Sequence, residues 1–266
     1  MTRRDILPVT VVVPCYNSRA TITRAMESVA AQTRGPAEVI VVDDASTDGT
    51  ADVLHGLARQ RWPFDMRLAR LPENHGPGGA RKTAWAMARP DTRYVAFLDA
   101  DDTWWPAKLE RQVSWMEDRP SIAWTAHRCT IFSSVARPTA TAAGIRALPI
   151  TRRQLLLRNG IATPTVVARR SLRSGFREGW RHCEDLMLWL DWLDEGNAAA
   201  MLDVPLATLG RPPCSPGGST GDLAAMSRGE MRVLRTLVDE GRLSPAEACV
   251  WRAVAWVRYA RRRIVA

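Results

Sequence analysis

No G-x-G-x-x-G follows the first apolar run and no G-x-x-x-x-G-K-[ST] occurs anywhere in the 266 residues. The usual dinucleotide and P-loop phosphate cradles are therefore absent, and a nucleotide, if bound, must be held by side chains and a cation. The five cysteines, Cys15, Cys129, Cys183, Cys214 and Cys249, are scattered, with no C-x-x-C spacing and no His partner at metal-ligand distance along the chain. This excludes a zinc ribbon and a disulfide framework and suits reduced thiols in a cytoplasm. Long apolar runs are also missing. The stretch behind Arg3 and Arg4 stops at Pro14 and reads as a strand, not a signal peptide or membrane span. Lysine is scarce: nearly all of the 37 basic residues are arginine, set against 28 acidic ones for a net charge of +9. That excess admits nucleic acid, an anionic membrane or a diphosphate substrate without choosing among them, and a GC-rich coding sequence also produces arginine without any partner.

Of what is present, Phe97-Leu98-Asp99-Ala100-Asp101-Asp102 is the most informative stretch. An apolar run from Tyr94 to Leu98, too short for a buried helix, ends in three carboxylates within four residues, where open α/β sheets place their ligands. Clustered carboxylates repel one another unless a cation or a set of donors offsets them. A hard divalent metal bridging to phosphate oxygens fits, as does a solvated acidic turn before a helix that begins near Pro106. A second acidic strand end lies upstream, where Glu38 to Val42 runs into Asp43-Asp44-Ala45-Ser46-Thr47-Asp48. The first strand, Val9 to Val13, ends in Pro14-Cys15-Tyr16-Asn17 and precedes a helix with Ile22, Ala25, Met26 and Val29 on one face. Strand, helix, strand, helix within sixty residues predicts a doubly wound, mainly parallel Rossmann-like sheet with helices on both faces.

Further along, a strand is expected over Met66 to Leu71. After it, Gly76-Pro77-Gly78-Gly79-Ala80-Arg81 opens a helix that could face phosphate, since glycines permit close backbone approach and a helix start with an arginine favours anions. A helix from about Pro106 to Glu117 turns Leu109, Val113 and Met116 inward, and Trp104 and Trp105 read as core aromatics or as a stacking platform for a sugar. Residues 133 to 149 lack periodicity and read as a loop over an acceptor. Glu184 and Asp185 open a helix with Leu186, Leu190 and Leu193 as its buried stripe. Both acids read as simple helix-start residues favoured by the helix dipole, which would also keep Asp185 ionised. Arg211 to Thr220 is dense in breakers and divides a domain over residues 1–212 from a helical extension over 213–266. In that extension a capping box at Ser244, Pro245 and Glu247 opens a last helix that carries Trp251, Trp256 and the cluster Arg258, Arg261, Arg262 and Arg263. Such a helix packs on the domain or lies on an anionic membrane.

The ordered set from Val11-Val12-Val13-Pro14-Cys15-Tyr16-Asn17 through Asp43 to Thr50, Asn74-His75-Gly76 with Ala80-Arg81, and Phe97 to Asp102 resembles the family-two inverting glycosyltransferases with the GT-A fold. Trp105-Pro106, Thr163 to Val167, Gly175-Phe176 and Glu184-Asp185 continue the match, which spans about residues 9 to 220. The Q-x-x-R-W motif of better-known members is missing, and the segment from Arg211 looks more like that of smaller members acting in surface polysaccharide synthesis.

The resemblance implies transfer of a sugar from a nucleoside-diphosphate donor, a UDP-sugar, to a hydroxyl of a sugar or glycolipid, with inversion in a single displacement. It implies a nucleotide-sugar site built from Pro14, Tyr16, Asn17, Asp43, Asp44, Arg81, Asp99, Ala100, Asp101 and Arg211, with Asp44 or Asp43 on the base. It further implies Mn²⁺ or Mg²⁺ on Asp101 and Asp99, and Asp185 as catalytic base. The expected setting is cytoplasmic, with a peripheral position at the inner face of the membrane through the last helix as the alternative, and no nucleic acid is expected. A nucleotidyltransferase of similar fold and a basic nucleic-acid-binding module are the rival readings.

Overall fold

The computed structural model describes residues 6–131, 144–173, 175–212 and 221–265. A run of β-branched residues makes β1 (Ile6–Cys15), which is buried on both faces, as expected of a strand inside a parallel sheet. It is followed by α1 (Ile22–Ala30), β2 (Gly35–Asp43), α2 (Thr50–Ala58), β3 (Asp65–Arg70), α3 (Gly76–Met87) and β4 (Tyr94–Phe97). Strands β2 and β4 lie on either side of β1 and β3 beyond β2, all parallel. The chain thus runs outward one way from β1 and then the other, which makes the carboxyl ends of β1 and β4 a topological switch point.

Beyond β4 the sheet changes character. The short β5 (Thr103–Trp104), α4 (Lys108–Glu117), β6 (Ile122–Ile131), β7 (Ala147–Pro149), α5 (Arg152–Leu157), β8 (Val167–Arg169), α6 (Glu184–Asp194) and β9 (Ala198–Leu209) follow. Strand β8 pairs antiparallel with both β4 and β6, β6 runs parallel to β9, and β5 and β7 add antiparallel to β9. The parallel expectation therefore holds for the first half of a mixed sheet. The expected acceptor loop lies largely in residues 132–143, outside the described residues, while Ala147–Pro149 is a strand. The breaker segment falls mainly in residues 213–220, also outside them.

Two apolar layers sandwich the sheet. One gathers α1, α2 and α4 against β1, with Val9, Val11, Met26, Val29, Leu54 and Leu109 buried. The other holds an aromatic knot in which Trp124 stacks on Trp189 at 5.2 Å and Trp189 meets Trp192 at 5.0 Å. Burial of each such ring contributes on the order of 3 kcal/mol or more relative to exposure. Helix α6 was expected to bury one stripe. It buries nearly its whole circumference, from Leu186 through Trp192, while Leu193 is only partly covered, because the sheet lies on one side and α7 (Leu223–Asp239) on the other. Val233, Leu234 and Leu237 of α7 and Trp251 of α8 (Pro245–Val265) join the same apolar cluster. Trp104 is a core residue and no sugar platform: it is buried, its indole N–H donates to the Pro164 carbonyl at 2.8 Å, and the Lys108 Nζ lies 3.7 Å from the centre of its ring.

Candidate active site

Three loops meet at the switch point, each bent by a residue that the chain holds in a costly conformation. Among the described residues, the non-glycine positions with left-handed φ are Asn17, Ala45 and Cys183, at 47°, 60° and 59°. They follow β1, follow β2 and precede α6, so strain of order 1–3 kcal/mol each is concentrated at one edge of the sheet. Asn17 ties the first loop to the second: its N–H donates to Ser46 Oγ at 2.9 Å, and its side-chain oxygen accepts from Thr47 N–H at 2.9 Å. Pro14 is buried at the end of β1, and Tyr16 is half exposed above it.

The acids after β2 are held by the protein itself. Both oxygens of the buried Asp44 accept backbone N–H groups, from His75 and Gly76 at 2.8 Å each, and so cap the start of α3 from a distant loop. Asp43 accepts from Ser46 N–H at 3.0 Å through Oδ1, while its buried Oδ2 has no hydrogen-bond donor and lies 3.5 Å from Arg70 Nε. Asp43 and Arg70 also line a cavity of about 170 Å³ with Ala51, Leu54, His55 and Leu68. The glycine-rich start of α3 does not open toward a phosphate at Gly78. A side chain there would come within 2.9 Å of Glu184 Cγ, so the close approach that glycine permits is to α6.

Arg81 joins the two acidic elements on which the resemblance places chemistry. The arginine is buried; one nitrogen donates to Asp99 at 2.6 Å and the other to Glu184 at 3.0 Å, beneath the ring of Phe176. One guanidinium thus holds the end of β4 against the start of α6. Burial raises the Glu184 carboxyl to about 7, helped by repulsion from Asp185 and opposed by Arg81. The neighbouring Asp185 is also pushed up by burial. Its partners, Leu186 N–H at 2.7 Å, Arg81 and the Asn159 amide at 3.3 Å, hold it down. Burial thus acts on both carboxyls in the direction opposite to the one expected of the helix start.

After β4, Ala100 is buried and Asp99, Asp101 and Asp102 crowd together. Burial and then the charge of Asp99 raise Asp101, against Arg211, whose Nε lies 3.4 Å away. The same two causes push Asp102 up to about 8, against a 2.7 Å bond from Gly210 N–H. Arg24 of α1 donates to the Asp101 carbonyl at 2.9 Å. Gly210 is required at this crossing, since a Cβ there would lie 1.9 Å from the Asp101 carbonyl oxygen. Asp102, Arg24, Asn159 and Gly210 escaped the sequence reading. Only Asp102 had a signal, as the third member of its acidic run.

This donor set fits a divalent cation of the hard type. Carboxylate oxygens are the hard donors such an ion prefers, and burial together with the charge of Asp99 makes added positive charge favourable beside Asp101 and Asp102. Among the described residues no three His, Cys, Asp or Glu side chains gather into an all-protein cage. Mg²⁺ and Mn²⁺ sites need none, because one or two carboxylates suffice when water and substrate phosphates complete the shell.

The model for glycosyl transferase family 2 matches residues 10–179. The UDP-Glc:alpha-D-GlcNAc-diphosphoundecaprenol beta-1,3-glucosyltransferase WfgD of Escherichia coli is 33% identical over 196 residues, 73% of this chain and 72% of that protein. Matches to the next curated relatives span less than half of their length. Among solved structures, Staphylococcus aureus TarS 1-349 in complex with UDP-GlcNAc superposes with TM-score 0.67 at 21% identity, covering 93% of this chain and 71% of that one. The mannosyltransferase PcManGT from Pyrobaculum calidifontis, in complex with GDP-Man and Mn²⁺, gives 0.65 at 21%, covering 94% and 69%. Both share the fold, which is the GT-A arrangement expected from the sequence.

Proposed function

The chain belongs to glycosyl transferase family 2 and is a glycosyltransferase, and we propose that it transfers the sugar of a UDP-sugar to an acceptor hydroxyl with inversion. The observation that carries this reading is the Arg81 bridge, which brings the acidic end of β4 and the paired acids of α6 into one site at the switch point. The nucleotide-sugar relatives support the donor class, and the UDP-glucose donor in WfgD's name supports uracil over guanine. Asp43 is the better partner for the base than Asp44, since Asp43 keeps a buried oxygen without a donor while both oxygens of Asp44 are engaged.

In this reading Asp185 accepts the proton of the acceptor hydroxyl while the hydroxyl oxygen attacks the anomeric carbon. The bond from that carbon to the diphosphate oxygen breaks, and its electron pair leaves with the nucleoside diphosphate. No covalent intermediate forms, and configuration inverts. Asn159 fixes the Asp185 carboxylate, and the raised affinity of Asp185 for a proton suits a base that must take one. Asp101, with Asp99 beside it, would hold Mn²⁺ or Mg²⁺, which when bound neutralises charge on the departing diphosphate. Arg211, beside Asp101, is placed to add positive charge to the same group.

The acceptor in this proposal is a lipid-linked sugar at the cytoplasmic face of a membrane, by analogy with the diphosphoundecaprenol named for WfgD. The described residues include no helix long and apolar enough to cross one. A panel of nucleotide sugars, each incubated with and without Mn²⁺, tests the donor assignment. Release of UDP above other nucleotides, and only with the metal, is expected; hydrolysis of purine donors alone contradicts it.

A further inference from the structure

We propose that the outward face of α8 seats on an anionic lipid bilayer and so presents the acceptor side of the site to lipid-carried substrates; this rests on the glycosyl-transfer reading above. The helix packs inward through Ala248, Trp251, Ala255 and Arg258, positions three or four apart, with Arg258 donating to Glu230 of α7 at 2.6 Å. A solvated helix should then be polar on its far side. Instead that side carries Val250, Trp256 and Val257, which are 61%, 68% and 65% exposed, with Ala253 between them. Exposed Arg252, Arg261 and Arg263 border this stripe, and no acidic residue occurs in α8 after Glu247. An apolar centre with a tryptophan and a rim of arginines matches a helix lying in the headgroup region, where the arginine stems cover apolar surface and the charges meet phosphates. Charge complementarity selects the occupant. A second copy docked here would bring the same arginines together, whereas an anionic surface neutralises them.

Position ties this face to the chemistry. Arg258 donates to the carbonyl of Leu157, the last residue of α5, whose side chain is 54% exposed. Two residues later Asn159 donates to Asp185. The inward face of α8 is thus joined through one short helix end to the segment whose Asn159 meets Asp185, so a bilayer seated on the opposite face of α8 would gather lipid-carried acceptors on this side of the molecule.

Flotation of the full chain with phosphatidylglycerol-containing vesicles and with pure phosphatidylcholine vesicles, at low and high salt, tests the seat. Binding is expected with the anionic vesicles and should weaken strongly at high salt. The double variant Arg261→Gln/Arg263→Gln should lower partitioning roughly 25-fold, taking about 1 kcal/mol per charge near the surface. Trp256→Ser/Val257→Ser should also release the protein, and both variants should hydrolyse a soluble UDP-sugar like the unaltered chain. Absence of flotation at low salt overturns the proposal, as do variants that float normally or a dimer in sedimentation equilibrium that Trp256→Ser/Val257→Ser dissociates. Flotation by a chain that hydrolyses no nucleotide sugar upholds the lipid seat and counts only against the transfer reading.

Discussion

At the end of β2, Asp44 is met by two backbone N–H groups and Asp43 by a third, with Arg70 beside it. At the end of β4, Asp99 shares Arg81 with Glu184, Asp101 has the half-exposed Arg211 at 3.4 Å, and Asp102 has one backbone N–H. Both strands end in adjacent carboxylates, but only Asp44 has both of its oxygens met by backbone donors, while Asp43 keeps one buried oxygen without a hydrogen-bond donor. In the second set, burial and mutual repulsion push Asp101 and Asp102 upward against Arg211 and Arg24, so further positive charge brought by a ligand would be favourable there. The difference separates acids that build a site from acids that await a ligand.

The comparison is sharpened most by the acid on the far side of Arg81. Asp185→Asn keeps shape and the contact with Asn159 while removing basicity, and turnover should fall about 10²- to 10⁴-fold with donor binding unchanged. Near-normal turnover in that variant would move the base elsewhere, with Glu184 next in place. The two strand ends should then part in opposite directions when one acid of each is altered. Asp44→Ala leaves the buried Gly76 N–H and the partly buried His75 N–H without acceptors and should cost about 2–4 kcal/mol in denaturant unfolding. Asp102→Asn keeps an acceptor for Gly210 and relieves repulsion, so its unfolding free energy at pH 8.5 should equal or exceed that of the parent. Equal losses in the two variants would erase the distinction drawn here.

The smallest expected effect lies in pH dependence. Because the Asp185 carboxyl is raised, turnover should climb with pH along a limb displaced above the ordinary carboxylate range. Asn159→Ala removes a donor to the charged form, so that limb should move further up, by about one unit or less. A limb that moves down in this variant contradicts the positioning assigned to Asn159. Stability has the opposite slope. Glu184, raised to about 7 when folded, binds its proton more tightly than in the unfolded chain. Its contribution is full below the unfolded value near 4.5 and is lost as pH rises through about 7. Glu184→Gln should flatten that fall in melting temperature.

The strands that carry the site were legible because β-branched runs such as Val9 to Val13 and Glu38 to Val42 leave little choice of structure, and acids at their ends are conspicuous. The family resemblance then named Asp99, Asp101 and Asp185 as one group, although 86 residues separate Asp99 from Asp185 in the chain. What could not be read was how partners divide among the acids. Nothing local in Asp43-Asp44 says that the second turns toward His75 and Gly76, about thirty residues on, while the first keeps an oxygen with no hydrogen-bond donor and only Arg70 beside it. Likewise Gly78 looked like a phosphate cradle because glycine signals close approach without saying to what, and here it is Glu184. Gly210 is silent for the same reason: its need arises from a crossing with Asp101, more than one hundred residues away.

The central claim, that the carboxylates after β4 await a cation brought together with a diphosphate, is tested most directly by calorimetric titration of UDP into the protein with Mn²⁺ and with EDTA, for the parent chain and for Asp101→Asn. UDP should bind the parent at least tenfold more tightly with Mn²⁺, and Asp101→Asn should abolish that gain while leaving the weak metal-free binding in place. Equal affinity in Mn²⁺ and in EDTA, or a full metal-dependent gain in the variant, would contradict it.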